Sequence, residues 1–143
     1  LLDHDLVIVG NGSLMASLRQ LVTNIGLAER VKFTGHIDDV IPYFVSATAT
    51  LLTSEYEGFP NVLIESISCG TPVVSFDCKS GPREIIKVGL NGFLIPMRDI
   101  NSFSDAMKSC LQLDRLDVRA SAAEYSIEIC GKKYIEVLTN ERI

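Results

Sequence analysis

The sequence predicts an α/β fold: an open sheet of parallel strands with helices on both faces. Short apolar runs of strand length alternate with segments of helical period along the chain. Glycines and polar turn residues gather where the runs end. The helical stretches between runs supply the crossovers that parallel pairing needs.

Leu6-Val7-Ile8-Val9 is a continuous apolar run ending in Gly10-Asn11-Gly12, the pattern of a buried strand entering a tight turn. Leu14, Leu18, Leu21, Val22 and Ile25 repeat at helical spacing, and Gly26 stops that helix. Val31-Lys32-Phe33-Thr34 reads as the next strand, and Asp38 or Asp39 is placed to cap a short helix through Pro42, Tyr43 and Phe44. Residues 48–53 form a third strand. Pro60-Asn61 then starts a helix that Gly70 ends. Residues 71–76 are a fourth strand, Gly81-Pro82 opens a short helix, and Asn91-Gly92 turns into a strand over 93–95. The remainder is helical: Phe103, Ala106, Met107, Cys110 and Leu111 share one face, as do Ala123, Ile127, Cys130, Tyr134 and Leu138.

A chain of 143 residues fits one domain of ordinary size, and 47% hydrophobic against 22% charged residues is a globular composition. Thirteen basic and 18 acidic residues give a net charge of −5 with no basic cluster, a poor footprint for nucleic acid. No apolar run reaches the length that spans a bilayer. Cys69, Cys78, Cys110 and Cys130 lie far apart, and with only His4 and His36 beside them no zinc spacing exists. The cysteines in apolar runs read as small core residues of a reducing compartment. The start at Leu1 without a signal peptide leads us to expect a piece of a longer, cytoplasmic protein.

In an open parallel sheet, ligands bind beyond the carboxyl ends of the strands. Gly10-Asn11-Gly12, Gly35-His36, residues 55–61 and Lys79-Ser80-Gly81 fall there. Gly58 admits close approach of backbone to a ligand, and the free N–H groups of the helix starting at residues 60–62 suit a diphosphate. Glu57 precedes that helix and Glu65 lies about one turn inside it. A carboxylate is repelled by phosphate but accepts hydrogen bonds from neighbouring hydroxyls, as on a ribose or a sugar ring. The same two acids are equally placed to stabilise the helix dipole alone, by roughly 0.3–1 kcal/mol each. Spacing by itself leaves both readings open. Lys79 and Arg83 either neutralise a ligand's charge or lie solvated on the surface. His36 reads as a loop hydrogen-bonder, Phe33, Tyr43 and Phe44 as core, and Phe59 as a loop aromatic without an evident core role.

The string Glu57-Gly58-Phe59-Pro60-Asn61-Val62-Leu63-Ile64-Glu65, followed by Ser66-Ile67-Ser68-Cys69-Gly70-Thr71-Pro72-Val73-Val74, resembles the signature of family 4 (group 1) glycosyltransferases. Val9-Gly10-Asn11-Gly12, Val31-Lys32-Phe33-Thr34-Gly35, Gly81-Pro82-Arg83-Glu84-Ile85-Ile86 and Asn91-Gly92-Phe93-Leu94-Ile95-Pro96 follow the family's order, so the likeness covers residues 6–113. It implies the Rossmann-like C-terminal, donor-binding domain of a GT-B retaining transferase. In that likeness Glu65 would hold the ribose hydroxyls, and Glu57, the candidate catalytic residue, those of the transferred sugar. Gly58, Phe59, Pro60, Asn61, Val62 and Leu63 would line the sugar and diphosphate, with Gly35 and His36 bordering the base. The likeness implies no metal and no cofactor beyond the nucleotide-sugar, and residues 75–82 resemble the subset using UDP-sugars in polysaccharide or lipid-linked glycan assembly.

The family's first strand of this domain and its diphosphate-binding Arg/Lys loop have no counterpart here. That leaves two open strand edges, at the runs over 6–9 and 48–53. Residues 1–116 are expected as the nucleotide-sugar-binding domain and 117–143 as a C-terminal helix packing on it. A partner half would carry the glycan or lipid-linked acceptor and any contact with a membrane, and the fragment alone is expected to be inactive. A degenerate, non-catalytic nucleotide-binding domain is the alternative. A dinucleotide oxidoreductase is disfavoured by Met15 where its fingerprint needs a small residue, and a glycosidase by a Glu65 whose helix start favours the ionised form.

Overall fold

Val73, Val74, Ser75 and Phe76 are all buried, as befits a strand enclosed on both sides. They form β4 (Val73–Phe76), the middle strand of a parallel sheet ordered β3 (Thr50–Leu52), β4, β5 (Gly92–Ile95). In register, Leu51 faces Val74 and Val74 faces Phe93, so these three share one face of the sheet. The structure, a computed structural model, describes residues 3–139. Its contacts divide the chain into two compact units, with the boundary between Val40 and Ile41.

In the second unit, alternation along β4 sends neighbouring residues into two separate cores. Val73 packs with Leu63 and Ile67 of α3 (Asn61–Ser68), Ile85 of α4 (Pro82–Ile85) and Val118 of α6 (Arg115–Ala120). Val74 and Phe76 pack on the opposite face with Ile95 and with Phe103 and Ala106 of α5 (Ile100–Ser109). The Phe76 and Phe103 rings meet at 4.7 Å between centroids. Helices therefore cover both faces, as the alternating sequence pattern requires.

Buried polar groups knit the helices to this sheet. The Thr71 hydroxyl donates to the carbonyl of Phe44 in α2 (Ile41–Ser46) at 2.6 Å and accepts from Arg115 at 2.7 Å. Arg115 also donates to the Ala47 and Val45 carbonyls. Asn91 is wholly buried: its amide donates to the Ile85 carbonyl and the Ser121 hydroxyl, and its oxygen accepts from the Lys87 N–H.

In the first unit, β1 (Leu6–Val9) pairs in parallel with β2 (Val31–Gly35) through the crossover helix α1 (Met15–Asn24). Gly26, at φ 73°, closes α1, with the Gly26 and Leu27 N–H groups returning to Thr23 and Val22. The Arg19 guanidinium lies 4.6 Å from the centre of the Phe33 ring. Neither β1 nor β3 has a second strand neighbour among the described residues, the two open edges expected from the sequence.

Two expectations fail. The run at Leu6–Val9 is not buried: Leu6, Val7 and Val9 are exposed, and α1 buries none of its residues. Two strands and one helix are too few to enclose a core of their own. The last face is also open. α7 (Ile127–Thr139) follows a 3-10 turn at Ser121–Tyr125, and Ile127, Tyr134 and Leu138 are exposed on it. Elsewhere the cysteines follow their apolar neighbours: all four are free thiols, with Cys78 and Cys110 buried, and burial pushes Cys110 up to about 12.

The tightest backbone contact lies at Gly92, where a Cβ would stand 2.1 Å from the Val73 carbonyl oxygen. Neither strand of the β4–β5 pair has room to yield. Gly92→Ala should therefore cost about 3 kcal/mol, read as a lower urea midpoint with an unchanged slope. A second measurement concerns α5, whose cap Asp99 accepts from the Ser102 N–H at 3.0 Å and the Ser102 hydroxyl at 2.7 Å. The Ser102 side-chain and backbone bonds hold the Asp99 carboxyl below its ordinary value of 3.8. Its stabilising effect is thus complete above that value and lost as pH falls through the lowered one. The stability difference between wild type and Asp99→Ala should stay constant from neutrality to about pH 5 and shrink towards pH 3.

Candidate functional site

Two loops at the carboxyl ends of β3 and β4 build the site in the second unit. After β4 the chain turns at Gly81, φ 89°, and presses against the loop that follows β3. A Cβ on Gly81 would meet the Pro60 ring at 2.5 Å and the Gly58 carbonyl at 2.8 Å, so the close approach demands glycine twice over, for space and for φ. One residue earlier, the Ser80 hydroxyl donates to the Glu57 carbonyl at 2.6 Å. The backbone of Glu57, Gly58 and Pro60 is thereby fixed just before α3 begins.

Pro60 leads into α3 with no side-chain cap, and no acidic residue occupies the helix's first turn. Leu63 donates back to the Pro60 carbonyl at 3.0 Å, whereas the N–H groups of Asn61 and Val62 find no acceptor among the described residues. These are the unsatisfied donors at the positive end of a helix, the feature that attracts an anion. Leu63 and Ile67 anchor the other side of α3 in the core, so Asn61, Val62, Glu65 and Ser68 form its open face.

Glu57 is half-buried and Glu65 exposed. Neither carboxylate makes an ion pair or hydrogen bond within the described residues. That sets them apart from the acids around them. Asp77 is held by two Arg83 nitrogens, through Nε at 3.1 Å and through Nη2, and the Asp77 hydrogen bond and charge raise Arg83 above its ordinary value. Glu55 is held by Arg98 at 2.7 Å, with the same effect on Arg98. Arg83 is thus tied to Asp77, in keeping with a surface role for it.

Glu57, Gly58, Phe59, Pro60, Asn61, Val62, Leu63 and Glu65 fall on one segment of the second unit. Phe59 is exposed, its ring centre 6.2 Å from that of Tyr125. Gly35 and His36 belong to the first unit, at the carboxyl end of β2. There Gly35, φ 73°, backs onto the Asn11 side chain, and His36 Nε2 lies 3.2 Å from Asp38. Phe44 is core, while Phe33 and Tyr43 are half-buried.

Sequence reasoning missed Arg98 and the cleft beside it. Its reach to Glu55 spans 43 positions, which no local pattern reveals. Nor does its surrounding sequence mark it: Arg98 sits at φ 65°, the one non-glycine with positive φ among the described residues, in the turn between β5 and α5. The cleft measures about 480 Å³ and opens at the carboxyl ends of β3, β4 and β5. Among the described residues no group of three or more His, Cys, Asp or Glu side chains is arranged to hold a metal, and no helix is long and apolar enough to cross a membrane.

The chain resembles known proteins over most of its length. The family described as "Glycosyl transferases group 1" matches residues 2–113. The lipopolysaccharide 1,6-galactosyltransferase of Salmonella typhimurium is 40% identical over 107 residues, 71% of this chain and 29% of that protein. A Campylobacter jejuni enzyme, N-acetylgalactosamine-N,N'-diacetylbacillosaminyl-diphospho-undecaprenol 4-alpha-N-acetylgalactosaminyltransferase, is 36% identical over 114 residues, 80% of this chain and 31% of its own length. The solved apo form of the lipopolysaccharide outer core galactosyltransferase WaaB superposes with a TM-score of 0.86 at 29% identity, over 95% of this chain and 40% of that one. The chain spans between 16% and 41% of the length of such curated relatives. With the family's pattern matched over most of its length, and the fold reproduced in a solved relative, the chain belongs to the group 1 glycosyltransferases.

Proposed function

We propose that this chain is the donor-binding half of a retaining glycosyltransferase that takes its sugar from a nucleotide-sugar, a UDP-sugar by the likeness of residues 75–82. One observation carries the reading: two carboxylates without partners among the described residues bracket two N–H groups likewise without acceptors at the start of α3. An anion suits the amides, and hydroxyls suit the acids. A molecule with a diphosphate in its middle and hydroxylated rings at both ends satisfies all four groups together.

In this arrangement Glu65 accepts from the ribose hydroxyls and Glu57 from the transferred sugar. The backbone of residues 58–63 receives the diphosphate. During transfer the bond from the anomeric carbon to phosphate oxygen breaks, and its electron pair leaves with the nucleotide diphosphate. The acceptor hydroxyl's oxygen bonds to the anomeric carbon on the same face, and its proton passes to the departing phosphate oxygen. Charge developing on the departing phosphate is met by the Asn61 and Val62 amides and by the α3 dipole. The Salmonella relative is named for galactosyl transfer and the Campylobacter relative for an undecaprenol-linked acceptor. By likeness to these relatives the acceptor in this reading is a glycan or lipid-linked saccharide, held largely by the remainder of the full-length chain.

Calorimetry on the full-length protein tests the assignment. Glu65→Ala should weaken UDP by roughly 10- to 150-fold, the worth of a charge-assisted hydrogen bond, and unchanged UDP affinity would remove the ribose role. Glu57→Ala should spare UDP but weaken the UDP-sugar or abolish transfer; equal turnover in mutant and wild type would count against it. Gly81→Ala probes the loop that supports both. Its Cβ displaces residues 58–60, so donor affinity should fall at least about tenfold while Glu57 and Glu65 remain in place.

A further inference from the structure

The cleft at the carboxyl ends of β3, β4 and β5 has no part in the donor site described above. Tyr56 and Met97 give it an apolar wall, and Glu55, Asp77, Lys79 and Arg98 give it polar groups. Its volume of about 480 Å³ lies within the range of small-ligand sites. Tyr56 is 78% exposed, and neither its ring nor its hydroxyl has a partner among the described residues. A solvent-facing aromatic ring beside paired charged groups offers a flat apolar surface with hydrogen-bonding atoms around it. That combination matches a sugar ring, which presents C–H groups on one face and hydroxyls at its edge.

We propose that this cleft is a carbohydrate subsite holding a neutral sugar residue of the acceptor, with the Tyr56 ring as its stacking face. The identification of the bound sugar as acceptor rests on the donor reading given above. Charge balance selects a neutral ligand: among the lining residues, Glu55 and Asp77 offset Lys79 and Arg98. Both acids keep acceptor capacity beyond their arginine partners, because an ionised carboxylate offers about four lone-pair sites. Arg98 brings further N–H donors, and its positive φ marks backbone held in an uncommon conformation, as recurs at ligand clamps. Position favours the acceptor as well. Tyr56 directly precedes Glu57, the residue assigned to the donor sugar, in the loop that follows β3.

The test uses the full-length protein with lactose and N,N'-diacetylchitobiose as neutral probes, followed by saturation-transfer NMR with and without UDP. Wild type should transfer saturation to the saccharide ring protons. Tyr56→Ala should weaken saccharide binding at least about tenfold, Tyr56→Phe should restore it, and UDP affinity should be equal in all three proteins. Absence of saccharide binding to wild type, or equal binding to Tyr56→Ala, overturns the proposal. So does displacement of the saccharide by inorganic pyrophosphate in wild type but not in Lys79→Ala, which would make the cleft an anion site. A wild type that fails to bind UDP removes the donor reading instead, and the measurement without UDP still decides whether the cleft takes sugars.

Discussion

The candidate site depends on the contact of Gly81 with Gly58 and Pro60. Two loops from neighbouring strands approach so closely that no side chain fits between them, and the Ser80–Glu57 hydrogen bond closes the same gap from one residue away. This contact aims the backbone that precedes α3. Without it the first amides of the helix would move relative to Glu57, because the 53–60 loop has no regular structure of its own to hold it. The buried side of α3 completes the fixation through Leu63 and Ile67. Position is therefore set by backbone and core, leaving both carboxylates without a partner among the described residues. Such separation of support from function is what a preorganised binding site needs.

The pattern of ion pairing extends this point. Arginine occupies Asp77 and Glu55, acids that flank the site, whereas Glu57 and Glu65 have no ion pair among the described residues. An exposed ion pair contributes little to stability, so the pairing of Glu55 and Asp77 is better understood through geometry. The Arg98–Glu55 pair ties the turn after β5 to the loop after β3, and Arg83–Asp77 ties α4 to the end of β4. Arg83 anchors its loop end by a fork of two N–H donors, Arg98 by one. The carboxylates that remain unpaired are those with capacity left for a ligand.

Much of this was legible in the sequence, and the physics explains which parts. Val73 to Phe76 reads as a buried parallel strand because four consecutive residues without a strong charge suit enclosure on two faces, and they are enclosed. Gly26 and Gly70 end helices at positive φ, where glycine alone is unstrained. The run at Leu6–Val9 misled because apolar sequence reports what a strand is suited to bury, not what surrounds it. In its unit one strand and one helix are its company. Helical spacing failed in the same way over α7, where Ile127 and Leu138 share a face that nothing described here covers. Asn91 was read as a turn residue on account of the glycine after it. Its side chain proves to be a buried three-way link, which no local rule distinguishes from a turn.

Long-range contacts by side chains were the least legible. Arg115 reaches carbonyls 68 and 70 positions away, and its hydrogen bond to Thr71 holds the start of β4 against α6. The resemblance named the Cys-Gly-Thr-Pro turn without explaining it; the structure supplies the reason. Gly70 lies where a Cβ would meet the Arg115 carbonyl at 2.7 Å, and Thr71 offers the hydroxyl that both Phe44 and Arg115 use. That turn serves the fold, since it joins α2, α3 and α6 at the amino end of β4. The loops at the carboxyl end are then left to chemistry, with Glu57 and Glu65 as their only acids between residues 57 and 65. A motif that runs on from one end of the sheet to the other thus combines two separate demands, and only the first half of it concerns the ligand.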